Sequence, residues 1–251
     1  MDTKTVYSTK TEKYAKYRWD YAPEAIESIF KLAQVDADTT IADIGAGTGI
    51  LTKYFAGKVR QIYALEPNAE LRNLMSKELY GILDLSVLDS CAENTELPTN
   101  SIDVITVAQA IHWFDPEPAK EEMLRILKDD GWLVLVRNYG TDQPEKAQAL
   151  ENLMTEEYGA DYSVVTERPE GKPNSFYFGH ADFTKLIFPF SFYQNWDEFI
   201  GALMSASFMP DEDHPLFGKF EAKAREIFAQ YSLDGRWLVE GETELIIGQP
   251  R

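Results

Sequence analysis

Seven consecutive residues, Asp43-Ile44-Gly45-Ala46-Gly47-Thr48-Gly49, carry the strongest chemical signal in the chain. They close a short apolar run that begins at Ile41 and precede a helical pattern from Ile50 to Ala56. Glycines at alternate positions permit a tight turn and let a ligand come close to the backbone at the carboxyl edge of a strand, where open α/β sheets bind ligands. A nucleoside-containing cofactor is the natural occupant. The spacing is G-x-G-x-G, whereas a dinucleotide fingerprint needs its third glycine at position 50, which is Ile50. A phosphate-binding P-loop needs Lys followed by Ser or Thr, but Lys53 falls too late and is followed by Tyr54. A plain strand-to-helix turn is the alternative reading of the glycines alone. Glu66 adds a second element: it ends the next apolar run, where a carboxylate can accept hydrogen bonds from both hydroxyls of a ribose lying across the strand tips. Alone, a solvated strand-end carboxylate accounts for Glu66. Loop and carboxylate together favour a nucleoside site.

These residues need a sheet to hold them. Between residues 41 and 138, short apolar runs alternate with amphipathic segments as in repeated β-α units around a parallel sheet. The strand candidates are Ile41 to Ile44, Gln61 to Glu66, Ile82 to Leu88, Asp103 to Gln109 and Trp132 to Asn138. One intervening helix carries Leu71, Leu74 and Met75 on its apolar face, another Met123, Leu124 and Leu127. For the latter, Asp115 suits the N-cap, Pro116 the first helical position and Gly131 a left-handed C-terminal stop. Ahead of the sheet, residues 11 to 33 read as one or two helices interrupted at Pro23, the first carrying Tyr14, Tyr17, Arg18, Trp19 and Tyr21. Beyond Asn138 the pattern predicts helices over 144–158, 196–207 and 216–231, a Pro/Gly loop over 168–174, and strands over 183–193 and 243–248.

The 251 residues carry 24 Lys and Arg against 42 Asp and Glu, a formal charge of −18, with 44% hydrophobic residues. That apolar fraction can bury a sizeable core and argues against disorder. The acidic balance opposes nonspecific binding to nucleic acid or anionic lipid, and leaves room for a local basic pocket that holds a small anion. Cys91 is the only cysteine, so no intramolecular disulfide or cysteine-rich zinc site is expected, and no metal constellation is visible. No stretch approaches the ~20 apolar residues of a membrane span, and residues 1–10 lack the apolar core of a signal peptide. A cytoplasmic protein is expected, monomer or homodimer, with a small molecule as its partner and with neither nucleic acid nor membrane.

The tracts Asp43 to Gly49, Ala64-Leu65-Glu66-Pro67, Ala92-Glu93 with Leu97-Pro98, Asp103 to Ala110 and Leu127 to Trp132 resemble the successive motifs of class I S-adenosylmethionine-dependent methyltransferases. The type 11 branch, with the ubiquinone/menaquinone-biosynthesis and trans-aconitate methyltransferases, is nearest, and Gln109-Ala110-Ile111-His112-Trp113-Phe114 resembles its trans-aconitate-like members. The resemblance covers roughly residues 14–138. It implies an α/β fold: a Rossmann-like seven-stranded, mostly parallel sheet flanked by helices, with helical cap insertions after the fifth and sixth strands. One domain over 1–251 is expected, with a helical lid (1–40), a cofactor-binding core (41–138), and last strands with an aromatic-rich cap (139–251). The implied cofactor is S-adenosylmethionine, converted to S-adenosylhomocysteine. Its methionine part would lie on the backbone of Gly45, Ala46 and Gly47, with Asp43 near the amino group, Glu66 on the ribose and Gln109 beside the methionine moiety. Ala92 and Glu93 would flank adenine, with Cys91 where many relatives have Asp. Tyr14 and Arg18 sit where relatives carry a helix over the cofactor.

A sulfonium methyl is already activated, so its transfer needs approach and alignment more than acid–base groups. Where the nucleophile starts protonated, His112, just beyond the fourth strand, is the candidate base. A structural hydrogen bond or packing against Trp113 is its alternative role. Trp113 and Phe114 either shape a pocket or close the core beneath the strand tips. The late aromatics, including Phe188, Phe190, Phe192, Trp196 and Phe199, are either core or the walls of a cavity for an apolar, aromatic or carboxylic acid acceptor. His180 and His214 are expected to be structural. A noncatalytic S-adenosylmethionine-binding module and a nucleotide-dependent oxidoreductase are the competing functions.

Overall fold

The computed structural model describes residues 16–141, 144–157, 171–206, 209 and 212–251. Its centre is one seven-stranded sheet with strands β1 (Thr40–Ile44), β2 (Gln61–Leu65), β3 (Leu85–Leu88), β4 (Ile102–Ala108), β5 (Leu127–Gly140), β6 (Thr184–Gln194) and β7 (Trp237–Gly248), in the order β3-β2-β1-β4-β5-β7-β6. The first five strands pair in parallel, and β7 runs antiparallel between β5 and β6. The chain moves outward from β1 through β2 to β3, then returns to β4 on the other side of β1. That reversal opens a crevice at the carboxyl ends of β1 and β4, the place where such sheets take ligands.

Both faces of the central strands are covered, which is why β1 and β4 read as apolar runs rather than as alternations. Ala42, Ile44, Ile105 and Val107 join one core cluster, while Ile41 and Val104 join the other. Helix α1 (Pro23–Leu32) begins on its proline and buries Ala25, Ile26 and Ile29. Helix α2 (Ala69–Glu78) is capped by Asn68, whose side chain accepts from the amides of Glu70 and Leu71. Helix α3 (Pro116–Ile126) returns the chain to β5. After β5 come α4 (Pro144–Asn152), continued by a π-helical turn over Leu153–Glu157, and the short α5 (Asn174–Phe178). After β6 come α6 (Trp196–Met204) and α7 (Phe217–Tyr231). A third cluster, with Phe199, Phe220, Phe228 and Trp237, packs these late helices on β7 and makes most of their aromatics core. Among the described residues no helix is long and apolar enough to cross a membrane.

Three local expectations are corrected. Residues 50–56 form no α-helix but a 3-10 turn over Thr52–Tyr54 closed by Tyr54 N–H to Leu51 and Phe55 N–H to Thr52. Thr52 is drawn inward to Asp43, and Gly57, at φ +72°, ends the segment. Gly131 does not stop a helix: α3 ends at Ile126, and Gly131 lies inside β5, where a Cβ would stand 2.6 Å from the Leu127 side chain. The last strand begins at Trp237 rather than at 243, because it pairs with β6 as far as Gln194. Ser207 and residues 158 and 168–170 of the expected elements lie outside the described residues.

Candidate functional site

Two cavities meet at the sheet's carboxyl edge. The first, about 180 Å³, is lined by Gly45, Gly47, Glu66, Pro67, Leu71, Cys91, Ala92, Glu93, Ala108, Gln109, Ala110, Trp113 and Phe114. Four of the expected contacts beyond the glycines, namely Glu66, Ala92, Glu93 and Gln109, come from three different strand ends, and Cys91 lines the cavity beside them. The glycine loop is bound to the end of β2: the amides of Gly45 and Ala46 donate to the Leu65 carbonyl, and the Gly47 amide donates to Glu66 Oε2 at 2.9 Å. Gly45 and Gly47 have φ of +71° and +60°, the left-handed region open to glycine. Ala46 does not line the cavity.

Glu66 is buried, and its second oxygen accepts from the Asn68 amide at 2.8 Å. Burial raises its pKa, and the two amide bonds and nearby Arg72 oppose that shift. A carboxylate offers about four acceptor sites, so two remain for other donors. Glu93 Oε1 accepts from the Asp115 amide, which ties the loop after β3 to the start of α3.

Asp43 lies elsewhere than expected. Its carboxylate is 1% exposed and accepts from the hydroxyls of Thr52 (2.6 Å) and Thr106 (2.8 Å), so it braces the loop from beneath and lines neither cavity. Burial outweighs those two hydroxyls and pushes its pKa up to about 6. Between an unfolded value near 3.8 and 6, the folded chain holds a proton that the unfolded chain has lost. Stability from this group is therefore greatest in acid and falls as pH rises through that window. Asp43→Asn, with no charge to bury, is expected to gain melting temperature relative to the parent as pH goes from 5 to 8. A difference that stays constant across those pH values, followed by scanning calorimetry, refutes this.

Gln109, just beyond β4, lines both cavities. Its φ of +55° is unusual for a side-chain-bearing residue. Two bonds hold it there, its amide to the Val136 carbonyl at 3.0 Å and its Nε2 to the Asn138 carbonyl at 3.1 Å.

The second cavity, about 210 Å³, has walls of Tyr17, Trp19, Tyr21, Ile50, Leu150, Phe199, Leu203, Trp237 and Val239, with Arg18, Asn138, Gln194 and Ser205 as further polar lining. The segment before α1 closes it. The Tyr17 ring occupies the space beside Gly201, where a Cβ would stand 2.3 Å from it, and Trp19 meets Phe190 and Phe192 edge-on. Lys146, itself buried, sets its ammonium 4.4 Å from the Trp237 ring centre.

The remaining expected residues separate. Arg18 is exposed and lines the second cavity. Tyr14 lies outside the described residues. His112 is exposed, with its ring beside that of Trp113, and lines neither cavity. His180 bridges the Gln249 carbonyl and the Asp182 amide, and His214 accepts from the Leu216 amide. Among the described residues no cluster of His, Cys, Asp and Glu could hold a metal ion. Sequence reasoning missed Asn138, Gln194 and Trp237. Gln194 had a legible signal: it ends the inward-facing row Leu186, Phe188, Phe190, Phe192, where a polar side chain breaks an apolar period of two.

Residues 42–135 match a family model described as a methyltransferase domain. An uncharacterised methyltransferase of Mycobacterium tuberculosis (strain ATCC 25618 / H37Rv) is 33% identical over 137 residues, 55% of this chain and 54% of that protein. The alignment thus spans about half the length of that relative. A putative type II methyltransferase from Anaeromyxobacter dehalogenans superposes with a TM-score of 0.61 at 18% identity, covering 94% of this chain and all of that one. An S-adenosylmethionine-dependent methyltransferase from Geobacter sulfurreducens, solved with S-adenosylhomocysteine, gives 0.51 at 12% identity, covering 96% and 97%.

Proposed function

We propose, with residues 42–135 belonging to the type 11 methyltransferase-domain family as the premise, that this chain transfers a methyl group from S-adenosylmethionine to a small-molecule acceptor. The observation that carries it is the pair of cavities that share Gln109, one with the features of a nucleoside site and one walled by aromatic side chains. The complex of the Geobacter sulfurreducens protein with S-adenosylhomocysteine supports the choice of cofactor.

The residues present fit that cofactor. Glu66 keeps acceptor capacity toward a cavity that it lines, as a ribose diol requires. Gly47 leaves nothing within 4 Å of where a Cβ would stand, so a ligand can pass close to its backbone. Cys91, Ala92 and Glu93 would flank the base, with Trp113 and Phe114 as apolar wall. Gln109 would lie between the methionine end and the acceptor, its rigid backbone fixing one against the other. When bound, S-adenosylmethionine supplies a sulfonium methyl group open to in-line displacement. The chain's share of the work is alignment and exclusion of water by residues 16–22 and the late helices. Arg18 would meet the carboxylate of the methionine end where it borders the second cavity. His112, whose ring lines neither cavity, has no part in this reading.

Calorimetric titration with S-adenosylhomocysteine tests the proposal, with micromolar binding expected; a folded protein that binds neither it nor S-adenosylmethionine refutes it. Cys91 gives an independent readout. Its half-buried side chain lines the first cavity, so alkylation by iodoacetamide, followed by mass spectrometry of the intact protein, is expected to slow at least fivefold under saturating S-adenosylhomocysteine. An unchanged rate would place the ligand elsewhere.

A further inference from the structure

Gln194 is the last residue of β6, 6% exposed, and lines the second cavity. Its backbone sits in the β6–β7 ladder opposite Trp237, and among the described residues its carboxamide has no hydrogen-bond partner. The other amides at this cavity each make at least one side-chain hydrogen bond within the chain. Asn138 donates to the Asp20 carbonyl and accepts from Thr243, and Gln109 donates to the Asn138 carbonyl. Ser205 donates to the Ala202 carbonyl. Gln194 thus presents a carboxamide with no side-chain hydrogen bond of its own to a cavity also lined by Phe199, Leu203, Trp237 and Val239. A ligand with a polar group at that position gains a hydrogen bond that an apolar analogue cannot make.

We propose that Gln194 is the specificity-determining residue of the acceptor cavity, and that the acceptor is a one- or two-ring apolar molecule with one hydroxyl, carbonyl or amide group that bonds to the Gln194 carboxamide. The inference rests on the function proposed above and names the acceptor class for that site. The size follows from the volume: about 210 Å³ exceeds the ~150 Å³ apolar cavity that takes up benzene in an engineered protein. The selectivity follows from the amide, since a site built to hydrogen-bond a polar group rejects the analogue that lacks it.

The test uses the full chain saturated with S-adenosylhomocysteine and two probes that differ in one group, 4-ethylphenol and ethylbenzene, measured by equilibrium dialysis. The expected result is binding of 4-ethylphenol about tenfold tighter than ethylbenzene. In Gln194→Leu and in the near-isosteric Gln194→Met that preference disappears, while S-adenosylhomocysteine affinity and the far-UV circular dichroism stay as in the parent. Equal binding of the two probes by the parent overturns the inference, as does a preference that survives both substitutions. Failure of both probes to bind a chain that does bind S-adenosylhomocysteine also overturns it and leaves the proposed function standing. Failure to bind S-adenosylhomocysteine removes the function and this inference together.

Discussion

Glu66→Ala is expected to weaken S-adenosylhomocysteine binding by about a hundredfold. Two hydrogen bonds from ribose hydroxyls to a charged acceptor, each worth about 1.5–3 kcal/mol, account for a loss of that size. The same carboxylate holds the amides of Gly47 and Asn68, so the variant also loses the anchor of the glycine loop, and a fall in melting temperature should accompany the fall in affinity. Glu66→Gln keeps one acceptor oxygen and is expected to lie between. The effect has a pH signature. Burial raises the Glu66 pKa, so its protonation begins at a higher pH than for an ordinary carboxylate, and the gap between parent and Ala variant should narrow on acidification. Titration calorimetry across that range decides the point: a gap of under threefold at neutral pH removes Glu66 from the site.

Gly45→Ala is expected to be far more damaging than the same change two residues later, at Gly47. At φ +71° a side-chain-bearing residue costs about 1–2 kcal/mol, and a Cβ here would stand 2.6 Å from the Cβ of Ala110. Neither atom is the movable end of a side chain. Gly45 is fixed by its bond to the Leu65 carbonyl, and Ala110 follows Gln109, which is bonded to β5. Overpacking adds roughly 1–3 kcal/mol, and the sum corresponds to a melting temperature about 5–15 °C lower. Gly47→Ala is the control. Its φ is similar, with nothing within 4 Å, so only the backbone term of about 1–2 kcal/mol applies. Equal losses in the two variants would contradict the crowding argument.

The contrast between these glycines shows where sequence reading stops. Spacing alone located the loop, the Glu66 strand end and the alternating units, because each depends on neighbours close along the chain. What Asp43 does was not legible, since its partners Thr52 and Thr106 include one 63 positions away, and only the pairing of β1 with β4 brings Thr106 under the loop. The second cavity was illegible for the same reason. Its walls come from residues 17 to 239, and no periodicity within one element reveals that Tyr17 packs against Gly201. The 3-10 turn after the glycines was misread because helical periodicity does not register a threonine bonded downward to a carboxylate.

The strand order also bears on the sequence in which the molecule can be assembled during synthesis. Every described residue that lines the first cavity is made before residue 115, whereas the second requires Trp237 and Val239. Among the described residues strand β6 has only β7 as a neighbour, and β7 follows it in the chain. While the ribosome is still adding residues 195–236, the aromatic row of β6 has no place in the sheet and is open to off-pathway pairing. Pro189, which lacks an amide hydrogen, and the Lys185 charge near the start of β6 are features that discourage such pairing of a strand edge.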